Sequence, residues 1–374
     1  MKLNFSAEEF KLNFFQKKPK HITKAFQAGL FSWADLDELL YVFDVSEKSV
    51  RLVNEKLLPE SDFAETSYHY GLTRKTFNKK KIYQELESGA SLILNRVEQK
   101  SLRIKRLCNA LSHIANGQVV ANGYLAKTGD SAFGNHWDSH DVFASQLLGN
   151  KRWLIYPPTF IDPIVGQKSI KHLEDCPTEA YMDVITEPGD ILYIPRGWWH
   201  CAFPSEGPCF HVAVGVHKPY IIDYLGWVSA NILSRDKMFR QTLDLDGQNP
   251  ISSSMLSDIA ESLMDLDNFK AFENQIYKKE NIDNGMHLSI YYGLSTDQYA
   301  NYYVKLASPF TVMVERANIN IAGIPINQHP IGKYLSFEEQ SIASLRSKAE
   351  VLTEEQFFSS IKTLIASGYV FIHN

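Results

Sequence analysis

Three side chains that commonly bind divalent metal ions stand in two short segments of the sequence. The stretch "FGNHWDSHDVF" contains His136 and Asp138, and "GDILYIPRGWWHCAF" contains His200. On an extended strand, residues i and i+2 project to the same face, so this imidazole and this carboxylate can converge on one point. A histidine from a distant strand would complete a two-histidine, one-carboxylate site. Such a site leaves positions open on Fe(II) for a cosubstrate and for O2.

Both the HxD pair and the later histidine can also be explained without a metal ion. An HxD pair often forms only a salt bridge or a bond to a turn, and a histidine after two tryptophans is usually a packed amphipathic residue. The combination on β-rich segments favours a metal site. Trp137 is then expected to point away from the metal. For the nearby His140, we expect a position facing the substrate, a position beside the ligands, or simple surface exposure.

The segments around these residues predict a mainly β core. Residues 118–218 contain the short apolar runs "VVANGYLAK", "DVFASQLL", "KRWLIYPP", "DVITEPGDILYIPRGWWH" and "CFHVAVGVH", separated by Gly and Pro turns. Several strands at close spacing, with no helical pattern between them, favour an antiparallel sandwich or barrel. The "EPGD" segment is predicted to be a turn that reverses the chain.

The flanking regions have other patterns. Residues 1 to 110 predict short helices and irregular pieces, with a strand at Ser91–Val97 and then a helix that Gly117 ends. Residues 219–288 have the apolar spacing of helices. Residues 289–374 combine the strand-like "PFTVMVERANINIAG", a helix capped at Thr353 and stopped by Gly368, and a terminal strand. That order predicts a small winged-helix-like module.

Composition excludes several classes of protein. The 374 residues are 44% apolar and carry a formal net charge of −5, so no overall basic field favours nucleic acid. The four cysteines form no CxxC pair, which is typical of reduced thiols in a cytoplasmic protein. The start of the sequence lacks the pattern of a signal peptide, and no apolar run reaches the ~18 residues of a membrane span.

The motifs "HWD…GNKRW…PGDILYIPRGWWH" resemble those of the JmjC-type 2-oxoglutarate oxygenases, and most of all the cupin-like ribosomal oxygenases. Members of that branch hydroxylate side chains of ribosomal proteins. The resemblance implies a double-stranded β-helix (cupin or jelly-roll) barrel in a 1–218 oxygenase domain. It further implies a helical dimerisation region at 219–288, hence a homodimer, and a winged-helix-like domain at 289–374.

The resemblance also implies roles for individual residues. His136, Asp138 and His200 match the iron ligands, and Lys151, fifteen residues after the first ligand, matches the base that pairs with the distal carboxylate of 2-oxoglutarate. From the residues alone, Lys151 could instead cap a hairpin at Gly149–Asn150 in water.

Three further positions match cosubstrate contacts of the family. Tyr124 and Asn122 match its Asn-x-Tyr strand, although Tyr124 could simply fill the barrel. His211 matches a histidine of some relatives, or could be a buried core histidine. Where relatives have Ser or Thr beyond it, this chain has Ala213 and Gly215.

The resemblance therefore predicts an Fe(II)- and 2-oxoglutarate-dependent dioxygenase that hydroxylates a side chain of a protein, possibly a ribosomal one, or of a peptide. Demethylation of an N-methyl group, hydroxylation of a small molecule or natural-product peptide, and a cupin-like binding protein without turnover are the alternatives. Intact metal ligands together with Lys151 disfavour the last of these.

Overall fold

The structure is a computed structural model. It describes residues 2–45, 49–54, 56–129, 133–243, 251–278, 285–293, 302–306, 320–321, 324–336 and 338–373. The predicted strand within 309–323 therefore lies mostly outside the described residues.

Sixteen strands and ten helices are described. The strands are β1 (Lys20–Ile22), β2 (Val50–Asn54), β3 (Lys56–Leu57), β4 (Ala64–His69), β5 (Leu72–Phe77), β6 (Ser91–Leu94), β7 (Gln118–Ala126), β8 (Asp141–Tyr156), β9 (Met182–Thr186), β10 (Ile191–Ile194), β11 (Trp199–His217), β12 (Tyr303–Leu306), β13 (Asn320–Ile321), β14 (Ile324–Pro325), β15 (Gln340–Ser341) and β16 (Val370–His373). The helices are α1 (Ala7–Asn13), α2 (Trp33–Val42), α3 (Lys79–Glu87), α4 (Leu102–Ala115), α5 (Ile221–Asn231), α6 (Ser253–Met264), α7 (Leu266–Lys278), α8 (Leu288–Gly293), α9 (Ile342–Lys348) and α10 (Glu354–Ala366).

A nine-stranded antiparallel sheet forms the centre of the molecule. Its order is β1-β10-β8-β11-β7-β6-β2-β3, with β9 also paired to β8. The region before residue 110 was predicted to contain short helices and irregular pieces with one strand, at Ser91–Val97. That prediction missed several strands, because the region supplies β1, β2 and β3 to the sheet in addition to β6 and adds the separate hairpin β4–β5. The strand expected at Ser91–Val97 ends at Leu94.

The strands β8 and β11 are long enough to pair along two separate stretches. Residues 141–146 of β8 pair with 211–216 of β11, and residues 150–156 pair with 199–206, with register shifts between the stretches. The sequence predicted separate short strands here, with a possible hairpin turn at Gly149–Asn150. That turn does not exist, because β8 continues through both residues.

Gly149 allows this continuous path. Its φ is +60°, and a Cβ there would lie 2.2 Å from the carbonyl oxygen of Pro208. We expect Gly149→Ala to lower the free energy of unfolding by more than ~1 kcal/mol, since backbone strain and a backbone clash add together. Gly207→Ala is the matched control, because Gly207 also has positive φ (+66°) but nothing lies within 4 Å of its Cβ position. If urea unfolding showed that both variants lose the same free energy of unfolding, the close approach of Pro208 O to Gly149 would have no energetic cost.

The "EPGD" segment does not reverse the chain. Before it, β9 pairs with residues 151–155 of β8, and after it β10 pairs with residues 142–145, in the same antiparallel sense. Both β9 and β10 therefore run along β8 in the same direction, and the segment forms a bulge between them. Gln146 bridges it, because its N–H donates to Asp190 O and its carbonyl accepts from Gly189 N.

The helix α4 covers one face of the sheet. Its N-cap Ser101 accepts a hydrogen bond from Ile104 N, and it ends at Asn116 in the left-handed conformation. Its apolar stripe, including Leu107 and Leu111, lies in the largest hydrophobic core with Phe143, Phe210 and other buried residues of the sheet.

The described residues after 218 form α5 to α7 and a smaller C-terminal unit with its own core. In that unit β12 lies between β15 and β16, and α10 begins at Thr353 with a capping box, as the sequence predicted. Phe357, Ile361 and Leu364 of α10 are buried in this second core. No helix in the described part of the chain is both long and apolar enough to cross a membrane.

Candidate metal centre

His136, Asp138 and His200 come together in space. One potential ligand atom from each lies within 4.8 Å of the others. The HxD pair was predicted on a strand, but it precedes β8 and is extended only through a bridge to β11. In that bridge His136 N donates to His200 O at 3.1 Å and His200 N donates to His136 O at 2.8 Å. This backbone bridge holds two of the three side chains together, whereas Trp137 points into a separate apolar cluster, as predicted.

Both imidazoles are oriented by the backbone. His136 Nδ1 donates to Gly134 O at 3.1 Å, and His200 Nδ1 donates to Trp198 O at 3.0 Å. A carbonyl can only accept, so both Nδ1 atoms carry the proton and both Nε2 lone pairs remain free. His200 Nε2 lies 3.7 Å from Asp138 Oδ2, which is too long for a hydrogen bond. The three groups thus face one another without satisfying one another, which fits a metal ion placed between them.

The electrostatics keep these groups in the forms that bind metals. Burial alone would raise the pKa of Asp138, but the fields of His136 and His200 outweigh it and the pKa is lowered. Burial and the neighbouring His136 lower the pKa of His200 to about 4. At neutral pH the carboxyl group is therefore ionised and the His200 imidazole is neutral, so neither of these two groups must lose a proton before a cation binds.

Lys151 lies inside the protein and not at a hairpin in water. It is 5% exposed, and within the described chain its ammonium group has neither a carboxylate within salt-bridge distance nor a hydrogen-bond partner. Burial lowers its pKa. The next residue, Arg152, is exposed and makes two hydrogen bonds to Asp183, of 2.8 and 2.6 Å. A buried cation without a partner is costly, so the position fits one that receives an anion.

His211 and Tyr124 lie beside Lys151 on neighbouring strands. They are directly opposite in the β7–β11 register, and their rings stack with centroids 4.9 Å apart. His211 is buried with an unpartnered Nδ1, and its pKa is well below the ordinary value because of burial and the charge of Lys151. Burial raises the pKa of the Tyr124 hydroxyl to about 12, so it stays a donor. The side chain of Asn122 hydrogen-bonds with the Tyr124 hydroxyl, and its Oδ1 also accepts from Arg96 N at 3.2 Å.

Trp153 lies between the potential metal ligands and the group formed by Lys151, His211 and Tyr124. The sequence did not predict it as a residue of the site. Its ring lies 6.4 Å from that of His200, 5.2 Å from that of His211, and 6.0 Å from Lys151 Nζ. Its indole N–H donates to Thr186 Oγ1 at 3.2 Å, which fixes the ring. The alternation along "KRW" places Lys151 and Trp153 on one face, and that was the available signal. We call the space bounded by Tyr124, Lys151, Trp153, His200 and His211 the inner pocket.

The fold and this site define a class of protein. A family model described as JmjC domain matches residues 94–224, which include the three potential ligands and the inner pocket. The resemblance to JmjC-type oxygenases is thus confirmed over this part of the chain. The structure of the ribosomal oxygenase YcfD from Escherichia coli superposes with a TM-score of 0.57 at 18% identity, over 100% of this chain and 99% of that one. The chain therefore has the JmjC/cupin-type fold of that protein, whose structure was also solved with cobalt and 2-oxoglutarate.

Curated relatives have similar names. Ribosomal oxygenase 1 of Danio rerio is 30% identical over 212 residues, 54% of this chain and 36% of that protein. The bifunctional lysine-specific demethylase and histidyl-hydroxylase NO66 of Dictyostelium discoideum is 26% identical over 217 residues, 56% of this chain and 42% of that protein. The same-named protein of Drosophila persimilis is 29% identical over 160 residues, 41% of this chain and 23% of its own length. The chain thus spans less than half the length of these relatives.

Proposed function

We propose that the chain is an Fe(II)- and 2-oxoglutarate-dependent oxygenase that hydroxylates an amino-acid side chain of a protein or peptide. The observation that carries this proposal is one continuous site. His136, Asp138 and His200 face one another at one end, and the buried, unpartnered Lys151 lies at the other, with Trp153 between them.

The residues of the site fit both Fe(II) and 2-oxoglutarate. Two imidazoles and one carboxylate form the donor set typical of non-haem Fe(II) oxygenases. Lys151 and the free Nδ1 of His211 fit an anionic carboxylate. When bound, Fe(II) and 2-oxoglutarate would supply the chemistry that converts a C–H group to C–OH with O2. 2-Oxoglutarate would leave as succinate and CO2, so that the new hydroxyl group and the succinate each carry one atom of O2.

The protein's own residues position and shield these groups. His136, Asp138 and His200 would hold the cation through three ligand atoms, which would leave further coordination positions for the cosubstrate and O2. Lys151 would pair with the distal carboxylate of 2-oxoglutarate, and Tyr124 could donate a hydrogen bond to it. Ala213 lacks a hydroxyl where relatives often have one, and His211 can supply the missing contact. Asn122 has a weaker case for direct contact, because its oxygen already holds Arg96 N.

The proposed substrate is a ribosomal protein. The names of the curated relatives and the fold of YcfD support it. N-methyl demethylation is the second candidate, because several relatives are named both lysine-specific demethylase and histidyl-hydroxylase. Hydroxylation of a small molecule or natural-product peptide would use the same metal ligands.

We further propose a homodimer formed through 219–288, a winged-helix-like module at 289–374 and a cytoplasmic location. Apolar side chains on α5 to α7 that remain exposed support the dimer: Ile221, Ile222, Leu225, Leu256, Met264 and Leu266. The three-stranded sheet next to α9 and α10 supports the module. The four cysteines, all free thiols, support a reducing compartment. Light scattering of the full chain tests the dimer.

The experiment for the function combines two measurements. Purified chain with Fe(II), 2-oxoglutarate and O2 is expected to form succinate, more so with ribosomal proteins than without them. Mass spectrometry then distinguishes a gain of one oxygen from the loss of CH2 in the target. Absence of succinate under all conditions would reject an oxygenase, and a loss of CH2 would favour the demethylase.

A further inference from the structure

Asp138 differs from the other two potential metal ligands in how its side chain is oriented. Each imidazole is oriented by a hydrogen bond to a backbone carbonyl. Within the described part of the chain, the Asp138 carboxylate accepts no hydrogen bond, and its Oδ2 lies 3.7 Å from His200 Nε2, which is too long for one. The direction of this carboxylate therefore depends on the main chain that bears it.

That main chain is held at two successive carbonyl groups. Gly197 N–H donates to Asp138 O at 3.0 Å, and the Tyr220 hydroxyl donates to Ser139 O at 2.7 Å. The two bonds fix the peptide groups that follow Asp138, and the backbone conformation limits the rotamers that a side chain can adopt. Metal-binding carboxylates are usually supported by neighbouring hydrogen bonds, and here the support acts on the backbone.

The Gly197 bond is built into the backbone of the sheet. Gly197 follows β10 in the Pro-Arg-Gly turn, has a φ of +81°, and approaches Phe160 O so closely that a Cβ would lie 2.7 Å from it. The preceding N–H, of Arg196, donates to Asp141 Oδ1 at 3.2 Å, and the same oxygen accepts from the Tyr193 hydroxyl at 3.1 Å. This bond cannot be removed without disturbing the turn.

The Tyr220 bond is made by a side chain and can be removed alone. The Tyr220 ring lies 4.9 Å from the guanidinium carbon of Arg196, and the Arg196 side chain also hydrogen-bonds with the hydroxyl. Arginine can only donate, so the proton of the hydroxyl is left for Ser139 O. Tyr220 N–H donates to Asp223 Oδ2 at 2.7 Å, which fixes the residue at the start of α5.

Arg196 is itself held from the other side. Its Nε lies 3.3 Å from Asp162 Oδ1, and its Nη1 donates to Pro163 O at 3.3 Å. The guanidinium group thus stays beside the Tyr220 ring even when the hydroxyl is absent. A phenylalanine at this position would keep the ring on the guanidinium group and lose only the bonds of the hydroxyl.

We propose that Tyr220 is a positioning residue for the metal centre, because its hydroxyl holds the main chain beside Asp138 and so directs the carboxylate toward the cation. The inference rests on the metal centre of the proposed function. It assigns a role in metal binding to a residue that lies outside the sheet, at the start of the helical region. A displacement of the first turn of α5 would then move a metal ligand.

The test measures Co(II) binding to the full-length chain without 2-oxoglutarate or a protein substrate. Tyr220→Phe is expected to weaken Co(II) binding by about tenfold, the lower end of what the loss of a supporting residue costs. The visible absorption bands of the Co(II) complex at saturation should also shift, because a displaced carboxylate changes the coordination geometry. A loss of folded protein alone would not change the bands of the saturated complex.

Tyr224→Phe is the matched control. Tyr224 lies on α5, and its hydroxyl donates to a backbone carbonyl, Leu263 O, at 3.2 Å. The control therefore loses a bond of the same kind that leads to α6 and not to the HxD motif. Urea unfolding of the metal-free proteins should show similar losses of stability for the two variants, whereas the control should bind Co(II) with the affinity and spectrum of the wild type.

The outcomes separate this inference from the proposed function. Wild-type affinity and spectrum in Tyr220→Phe would overturn the inference, and so would weaker binding with an unchanged spectrum at saturation. Weaker binding together with shifted bands, seen in Tyr220→Phe and not in the control, supports it. The comparison needs neither cosubstrate nor O2, so a failure of the wild type to form succinate would reject the proposed oxygenase and leave the role of Tyr220 in metal binding to be decided by Co(II).

Discussion

Replacing His200 with alanine is expected to weaken metal binding strongly and, with it, to abolish 2-oxoglutarate turnover. The side chain is 5% exposed and is oriented by its bond to Trp198 O, and its Nε2 lies 3.7 Å from Asp138 Oδ2. Loss of a ligand should weaken Co(II) binding by more than ~100-fold, since changes to mere supporting residues already cost 10- to 100-fold. Titration with Co(II), followed by its visible absorption, measures this without reference to activity.

His172→Ala is the matched control for that experiment. His172 is also a histidine near the site in sequence, but it packs on Phe160 and Trp137 and bonds to Asp175. The control should bind Co(II) like the wild type and retain turnover. If His200→Ala bound Co(II) as tightly as the control does, the three convergent side chains would not be the metal site, and the proposed function would lose its main support.

Lys151→Met is expected to impair the enzyme while leaving the fold as stable as before, or more so. Truncating one partner of a buried ion pair costs about 2–5 kcal/mol, so the KM for 2-oxoglutarate should rise by roughly 30-fold or more. In the absence of cosubstrate the same lysine is a buried charge without a partner. Replacing it with an apolar side chain of similar length removes that penalty from the folded state.

Arg152→Met separates this effect from a general loss of positive charge. Arg152 is the adjacent residue, but it is exposed and paired with Asp183 on the other face of β8. Its replacement should leave the KM for 2-oxoglutarate unchanged. Kinetics across a range of 2-oxoglutarate concentrations, together with urea unfolding of the protein without cosubstrate, test both parts. An unchanged KM in Lys151→Met would remove Lys151 from the cosubstrate site.

The residues of the site were more predictable from sequence than the path of the chain. The i, i+2 spacing of His136 and Asp138 and the resemblance of the motif around His200 were sufficient to predict a convergent triad. The spacing was interpreted as a strand, but one bridge to β11 produces the same convergence. Lys151 was undecided from its neighbours alone, because a Gly-Asn pair before it is typical of a hairpin.

Long-range pairing accounts for what the sequence could not predict. Whether Gly149–Asn150 turns or continues depends on Pro208, almost sixty residues later, whose carbonyl lies where a side chain would be. The path through "EPGD" depends on Gln146, which bonds across the bulge. Trp153 became part of the site only because β11 brings both His200 and His211 close to its ring. Local propensity contains none of this information.

The strand β11 carries His200, His211 and His217, and between the first two lies the exposed, irregular segment 205–208. Gaining or losing one residue between His211 and His217 would turn one of these two histidines to the opposite side of the sheet. A change of length at 205–208 can instead be absorbed, since the register already shifts there. Insertions and deletions that accumulate during evolution should therefore concentrate in those four residues, where new termini for circular permutation would also be best tolerated.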